Sequence, residues 1–504
     1  MIPRRMLFGN VLCLCGLVSF GQEDEAARHY AGTITQEELR EHLTILAGDA
    51  YQGRETGKVG QKMAAAYLKQ QFVADGIPPV PAPDPKVISE GYFQPFGLVE
   101  ERSGTIRIVA DGRTLAFKKE LLYFNEVLDT AMTVTDALYL GDGEKVPNSG
   151  LAGRVVVLNA SRMGQGAAAL GPLRSRMEGV RAAGASLILV SVPSLEAMME
   201  GMHLSGARMR LADEGGKQGT TTTSAQAILV DEKAMDQLLR TTTMARLARK
   251  HRPKTVHPAC EVMVTPQEDR LTAENVLAYI EGTDRKNEIV VITAHYDHIG
   301  VNDGVVYNGA DDDGSGTVAL LEIAEAFATA KAEGHGPRRS ILVMPVSGEE
   351  KGLLGSRYYS DHPVFPLENT VADLNIDMIG RVDSAHSTTP PYVYVIGSDR
   401  LSTELHVINE EANTVYAHLQ LDYTFNAESD PNRFYYRSDH YNFARKGVPS
   451  VFFFSGVHED YHQPGDDVEK IRFDLLQQRA ALVFHTAWIL ANRDARIVVD
   501  KPLK

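Results

Sequence analysis

Glu288-Ile289-Val290-Val291-Ile292-Thr293-Ala294-His295-Tyr296-Asp297 decides the fold. Its run Ile289 to Thr293 is continuous, β-branched and too short for a helix, the pattern of a strand buried on both faces. Further on, Leu320, Ile323, Ala324 and Phe327 line one stripe of a helix spanning Val318 to Ala330, and Ile341 to Val346 reads as a second buried strand. Thr370 to Met378, Tyr392 to Ile396 and Ser450 to Phe454 read as further strands, and a helix from Phe473 to Ala491 closes the series. Strand alternating with helix predicts an α/β domain with a mixed, mostly parallel β-sheet flanked by helices.

Working outward, Thr35 with Glu38 forms a capping box ahead of Leu39, Leu43 and Leu46, and a second helix, Met63 to Asp75, stops at Gly76 before Pro78 and Pro79. The loop between them, Gly53-Arg54-Glu55-Thr56-Gly57, reads as a tight interhelical connection or as a substrate contact. From about Asp111 to Pro258 the pattern changes: Arg154 to Ala160 and Leu187 to Val192 are short buried strands around a helix ending near Gly184. This predicts a small α/β insert. Its run Gly219 to Ser224 is loop-like, and Met198, Met199, Met202 and Met209 read as gap-filling core.

At 504 residues the chain is too long for one compact core, and 43% hydrophobic content is ordinary for a globular protein. Met1 to Phe20 combines Arg4 and Arg5 with an apolar run from Met6 that is too short for a membrane span, which predicts a signal peptide over residues 1–21. The expectation is export, periplasmic or extracellular, with no integral span after cleavage. Leu14 before Cys15 is a poor lipobox residue and disfavours a lipid anchor. Cleavage leaves Cys260 alone, so no internal disulfide forms and packing must carry stability. Losing Arg4 and Arg5 takes the formal charge from −15 to about −17, a balance that argues against nucleic-acid or anionic-membrane partners.

The chemistry concentrates where predicted strands end. His295 and Asp297 lie two apart, so their side chains point the same way and the carboxylate can orient the imidazole. Asn308-Gly309-Ala310-Asp311-Asp312-Asp313-Gly314-Ser315-Gly316 places three acids before a helix, where they repel one another unless a cation or the helix dipole compensates. A carboxylate can bridge two metals where a histidine cannot, so one of the three is the natural bridge. In Ser347-Gly348-Glu349-Glu350-Lys351-Gly352 adjacent glutamates divide between ligand and general base. Asp377 interrupts an apolar strand with a charge, and buried acids need a metal or a base. His462 completes the set. Two imidazoles and several carboxylates suit a pair of zinc ions, and ligands of α/β sheets gather beyond the carboxyl ends of strands.

His458-Glu459-Asp460-Tyr461-His462 also matches H-E-x-x-H, the signature in which two histidines share a helical face around one zinc. The apolar run Val451 to Phe454 before it and Pro464 after it leave little room for that helix, and the match reads as a coincidence.

Taken in order, A-H-Y-D-H-I-G, N-G-A-D-D-D-G-S-G, S-G-E-E-K-G-L-L-G-S, N-I-D-M-I-G and D-Y-H-Q-P resemble the zinc aminopeptidase and glutamate carboxypeptidase superfamily over most of residues 259–495. The remainder resembles exported members with a protease-associated domain inserted at 111–258. On that resemblance residues 22–110 are the first part of the catalytic domain and 259–495 its main part. The resemblance implies two zinc ions. It places His295 and Asp377 on one, Glu350 and His462 on the other, and Asp312, the acid followed by a cis peptide in that family, as the bridge. It makes Glu349 the catalytic base, Asp297 the residue orienting His295, and Tyr461 a donor to the tetrahedral oxyanion.

The function so implied is hydrolysis of peptide substrates, foremost release of N-terminal residues. A carboxypeptidase or dipeptidase of the same superfamily would need an arginine for the substrate carboxylate, for which Arg381 and Arg437 are the candidates near motifs. Tyr436-Arg437-Ser438-Asp439-His440 is a pocket-lining candidate. A glutaminyl cyclase-type acyl transferase, with one zinc, is disfavoured by the second ligand set. A binding module on a dead peptidase scaffold is disfavoured by the retained base.

Overall fold

The computed structural model describes residues 23–81, 87–123, 128–147, 150–161, 163, 170–199, 207–213, 225–249, 252–388 and 391–502. The predicted leader, Met202 and the Gly219 to Ser224 run lie outside them.

A seven-stranded sheet holds the chain together, in the order Ala278–Ile280, Arg339–Val346, Arg285–His295, Thr370–Ile376, Ser450–Phe454, Tyr392–Ile396 and Gln420–Asp422. Its four central members are mutually parallel, whereas Ala278–Ile280 runs antiparallel to Arg339–Val346, and Tyr392–Ile396 runs antiparallel to Ser450–Phe454 but parallel to Gln420–Asp422. The strict alternation of strand and helix expected from the sequence fails at Tyr392–Ile396. Among the described residues only the short turn Ser384–His386 separates it from Thr370–Ile376, and a connection without a crossover helix does not return a strand to parallel.

The β-branched run of the opening stretch explains the layers. Val290, Ile292 and Ala294 pack on one face against the helices Gly316–Ala332 and Phe473–Asn492, while Ile289 and Val291 pack on the other with Tyr359 and Phe443. With period-2 alternation, both sets are apolar because both faces are covered. Each such side chain contributes about 1.5–3 kcal/mol on burial. The N-terminal helices Gln36–Leu46 and Val59–Ala74 add their buried leucines to the first face.

The Thr35 hydroxyl accepts the Glu38 N–H as a cap should, but the reciprocal half of the capping box is absent. The Thr35 N–H donates to Glu322 of a different helix, at 3.1 Å, and the Thr35 hydroxyl donates to the Glu38 carboxylate, at 2.7 Å.

A feature not anticipated from the sequence is a long antiparallel ribbon. Phe93–Ala110 pairs with Cys260–Val276 from Phe93 opposite Val276 to Val109 opposite Glu261. Its middle, around Glu100 to Arg102 and Glu268 to Arg270, is charged, so no hydrophobic period marks it; Arg102 pairs with Asp269 at 2.7 Å across the ribbon. Between the far ends of the ribbon lies a second sheet, in the order Lys254–Val256, Ala137–Tyr139, Val155–Asn159, Leu187–Val192, Gln226–Asp231 and Leu121–Tyr123. It has apolar clusters of its own on both faces, and Ile108, Val262 and Val264 of the ribbon join one of them. Met198 and Met209 are buried. Among the described residues no helix is long and apolar enough to cross a membrane.

Candidate metal centre

The four parallel strands end on one edge, and each candidate donor follows from where its strand stops. His295 is the last residue of Arg285–His295, Asp377 follows Thr370–Ile376 directly, and Glu349 and Glu350 follow Arg339–Val346 after two residues. His462 comes from the loop after Ser450–Phe454, and Asp312 from the turn that leads into Gly316–Ala332. Residues scattered over more than 160 positions therefore meet at the carboxyl edge of the sheet.

Asp312 is at the centre. Its Oδ1 lies 3.2 Å from His295 Nε2 and its Oδ2 lies 3.0 Å from His462 Nε2. Asp377 Oδ1 is 3.6 Å from His295 Nε2, and Glu350 Oε2 is 3.2 Å from His462 Nε2. Two donor groups thus share Asp312: His295 with Asp377, and Glu350 with His298. Glu349 Oε2 lies 3.9 Å from His295 Nε2 and faces a cleft lined also by Met378, Phe434, Phe452, Phe454, Arg437 and Tyr461.

The three adjacent acids are resolved by their partners. Asp311 Oδ1 accepts the Gly380 N–H at 2.6 Å, and Asp313 accepts the N–H groups of Gly316, Met378 and His295 at 2.8, 3.0 and 3.2 Å. Asp312 alone presents both oxygens to imidazoles. The peptide bond between Asp312 and Asp313 is cis. Gly309 precedes the turn at φ +56°, and a Cβ there would sit 2.3 Å from the Asp312 carbonyl oxygen and 2.4 Å from the His298 ring. Met378 and His462 are also left-handed, with φ +57° each, a conformation that costs a non-glycine residue about 1–2 kcal/mol and collects at functional sites.

The electrostatics fit a cation. His295, Asp312 and Asp377 are buried, and His295 Nε2, Asp312 Oδ2 and Glu350 Oε1, though close to one another's groups, make no well-directed hydrogen bond. Burial pushes the Glu349 carboxyl well above its ordinary range. Burial works against a charge on His462, but Glu350 and Asp312 outweigh it and lift the imidazole to about 11. The carboxylates draw positive charge into the site; a divalent metal supplies it while leaving the imidazoles neutral donors. Nitrogen and carboxylate donors in this number suit zinc.

Asp297 stands differently from the arrangement expected. Its carboxylate stands 4.0 Å from His295 Nδ1, too far for a hydrogen bond, and its main-chain carbonyl takes the ring instead at 3.0 Å. The carboxylate accepts the Thr56 hydroxyl at 2.6 Å and the Glu349 N–H at 3.3 Å, so it braces the glutamate turn. Tyr461 stacks on His462 at 3.9 Å between ring centroids, and its hydroxyl is 3.4 Å from Arg437 Nη2. The H-E-x-x-H match dissolves: no helix forms there, and His458 turns to Asp311 at 3.3 Å.

Sequence reasoning left four supporting residues without the contacts they make. His298, next to Asp297 in the same motif, brings Nδ1 to 2.9 Å from Glu350 Oε1. Ser438 donates to Asp377 Oδ2 at 2.7 Å. Arg54 is fully buried and donates to the carbonyls of Leu46, Tyr296, Asn308 and Gly309, tying the Gly53 to Gly57 loop to both donor-bearing turns. Thr56, in that loop, holds Asp297. Replacing it by valine keeps the shape but leaves a buried carboxylate short of a donor. Thr56→Val is expected to lower stability by about 1–3 kcal/mol, with metal content unchanged. An unmoved denaturant midpoint would mean that the hydroxyl carries no such load.

Comparison with known proteins finds a likeness to one family over part of the chain. Residues 275–487 match the model of Peptidase family M28. Aminopeptidase YwaD of Bacillus subtilis (strain 168) is 29% identical over 220 residues, 42% of this chain and 43% of that protein. A "Probable zinc metalloprotease" of Pyrenophora teres f. teres (strain 0-1) is 28% identical over 261 residues, 45% of this chain and 53% of that protein. The chain thus spans about half the length of the curated relatives it matches. Among solved structures, an aminopeptidase from Aneurinibacillus sp. strain AM-1 superposes with a TM-score of 0.60 at 18% identity, covering 95% of this chain and 98% of that one. BSAP, a zinc aminopeptidase from Bacillus subtilis, gives 0.58 at 18% identity, with 94% and 99% covered. At that identity the likeness establishes the fold.

Proposed function

From the match of residues 275–487 to the model of Peptidase family M28, we propose an exported metallo-aminopeptidase that holds two zinc ions and releases N-terminal residues from peptides. The observation that carries this reading is Asp312 facing His295 Nε2 at 3.2 Å and His462 Nε2 at 3.0 Å from its two separate oxygens. His295 and Asp377 would hold one zinc, Glu350 and His462 the other, and Asp312 both, with His298 positioning Glu350. The leader-like residues 1–21 support export, and the separate sheet and core between the ribbon ends support 111–258 as an inserted protease-associated domain between the catalytic parts 22–110 and 259–495.

When bound, the zinc pair supplies Lewis acidity that eases deprotonation of a water and polarises a carbonyl. The chain's own residues do the rest. Glu349, facing the cleft, accepts the water proton and returns it to the leaving amine. Asp297 fixes the Glu349 backbone, and the aromatic wall of Phe434, Phe452 and Phe454 receives an apolar side chain. Asp312, Glu349 and Asp377 all face the cleft, which favours a free α-ammonium over a carboxylate. The Tyr461 hydroxyl is assigned to the tetrahedral oxyanion. Tyr461→Phe is therefore expected to lower kcat by up to about 10²-fold; an unaltered rate would leave Tyr461 only a stacking partner of His462.

One observation favours a second reading. Arg381 is committed to Asp460 and Glu459 at 3.1 and 3.4 Å, whereas the exposed Arg437 stands on the cleft wall with its guanidinium near Tyr461, placed to meet a C-terminal carboxylate. Hydrolysis of free aminoacyl, N-blocked and C-terminal-glutamate peptides, with chelator and zinc add-back, separates the two. Zinc-dependent cleavage only of unblocked peptides is expected. Cleavage of blocked substrates would move the assignment to a carboxypeptidase or dipeptidase, and no cleavage would reopen the cyclase and binding-module readings.

A further inference from the structure

A second acidic cluster lies apart from the metal centre, where the helices Gln36–Leu46 and Gly316–Ala332 pack together. Glu38, Glu322 and Glu325 bring carboxylate oxygens within 4.8 Å of one another. Asp75, at the end of Val59–Ala74, adds to the negative field on Glu322. Glu322 is 1% exposed; its Oε2 is held by the Thr35 N–H at 3.1 Å, and its Oε1 points into the cluster with no hydrogen-bond partner. The nearest candidate counter-ion is His42, whose Nε2 is 3.6 Å from Glu322 Oε1, beyond hydrogen-bond reach, and burial drives that imidazole toward its neutral form. After burial, which the Thr35 N–H partly offsets, the charged neighbours that push the Glu322 carboxyl up are all acids: Glu38, Glu325 and Asp75.

A buried carboxylate oxygen without a donor is costly, and three glutamates converging on it compound that cost. The broken capping box belongs to the same arrangement, because the Thr35 N–H is given to Glu322 while Glu38 is turned toward the cluster. We propose that Glu38, Glu322 and Glu325 form a site for one hard divalent cation, with calcium as the fitting ion, which clamps the N-terminal helix onto the helix that follows the Asp312 turn. Purely carboxylate donors select a hard ion over zinc. Oxygens within 4.8 Å of one another fit around an ion with bonds of about 2.3–2.6 Å. Glu38 and Glu325 are half-buried, so the open side can be completed by water.

The test uses the zinc-loaded full chain, stripped of other cations by a calcium-selective chelator, with calcium chloride as the probe. Calcium at 5 mM is expected to raise Tm by about 3 °C or more, and equilibrium dialysis should find one calcium per chain. Glu38→Gln/Glu325→Gln, at half-buried positions that tolerate the change, should abolish both effects while keeping zinc content and peptidase activity. No rise in Tm, or the same rise in the double variant, overturns the proposal. So does a stability that ignores calcium but increases as pH falls from 8 toward 5. The Glu322 carboxyl is pushed up to about 8 by burial and its acidic neighbours, so a proton bound in the folded state would then be the ligand of the cluster.

Discussion

Glu349→Gln is expected to retain two zinc ions and to lose roughly 10²–10⁴-fold in kcat with little change in KM. The substitution is isosteric, so it keeps the turn at the end of Arg339–Val346 and the Glu349 N–H that donates to Asp297 at 3.3 Å. It removes only the ability to take and return a proton. Glu349 is suited to this role because it is the glutamate of the pair that the second donor group does not engage. Glu350 faces His298 and His462 at 2.9 and 3.2 Å, whereas Glu349 faces the cleft and comes no closer than 3.9 Å to His295. Metal content is measured alongside the kinetics, because a loss of zinc would mean that Glu349 is a ligand. Near-normal turnover with both metals present would remove the base from Glu349. An added small carboxylate should then make no difference, whereas partial rescue of the variant by such a proton acceptor marks a missing base.

Much of the catalytic half was legible because its information is local. Ile289 to Thr293 is β-branched and its flanks change character abruptly, so the central strand could be read directly; Tyr392–Ile396 and Ser450–Phe454 fall where expected for the same reason. The donors were legible because packing alone seldom puts a charged residue at the end of a buried apolar run, where its desolvation must be offset by a partner. The choice of Asp312 among the three acids came from the resemblance and not from the residues themselves, since Asp311 and Asp313 are engaged by the N–H groups of Gly380, Gly316, Met378 and His295, which only the folded sheet brings together. Thr56 and Arg54 were hidden for a related reason. Thr56 reaches Asp297 across 241 positions, and a loop between two helices carries no sequence mark of what it touches. The ribbon Phe93–Ala110 with Cys260–Val276 escaped because its charged middle is stabilised by pairs across strands, not by a periodic apolar face. His298 was overlooked although it stands in the same motif as His295; a second imidazole three residues on, beyond the strand end, points to a different group of carboxylates.

The shared position of Asp312 makes it the residue whose loss should reach furthest into the metal centre. Asp312→Asn is expected to lower the content of both zinc ions and to reduce activity by at least about 10³-fold, while Glu350→Ala should weaken one zinc and leave the other. The asymmetry follows from the distances: Glu350 meets only the His298 and His462 side, but Asp312 meets His295 through Oδ1 and His462 through Oδ2. An asparagine at 312 offers one neutral oxygen and an amide nitrogen that cannot ligate, so the two donor groups no longer share a negatively charged bridge. Stability reports the same difference independently of catalysis. An ion that binds only the folded chain stabilises it by about 2.7 kcal/mol at a hundredfold excess over its Kd, so zinc should raise Tm strongly in the parent, partly in Glu350→Ala and little in Asp312→Asn. If Asp312→Asn instead kept two zinc ions by elemental analysis and the full zinc-dependent rise in Tm, the two donor groups would be independent sites. The reading of a joint centre built around one shared aspartate would then fail, even with every other residue placed as described.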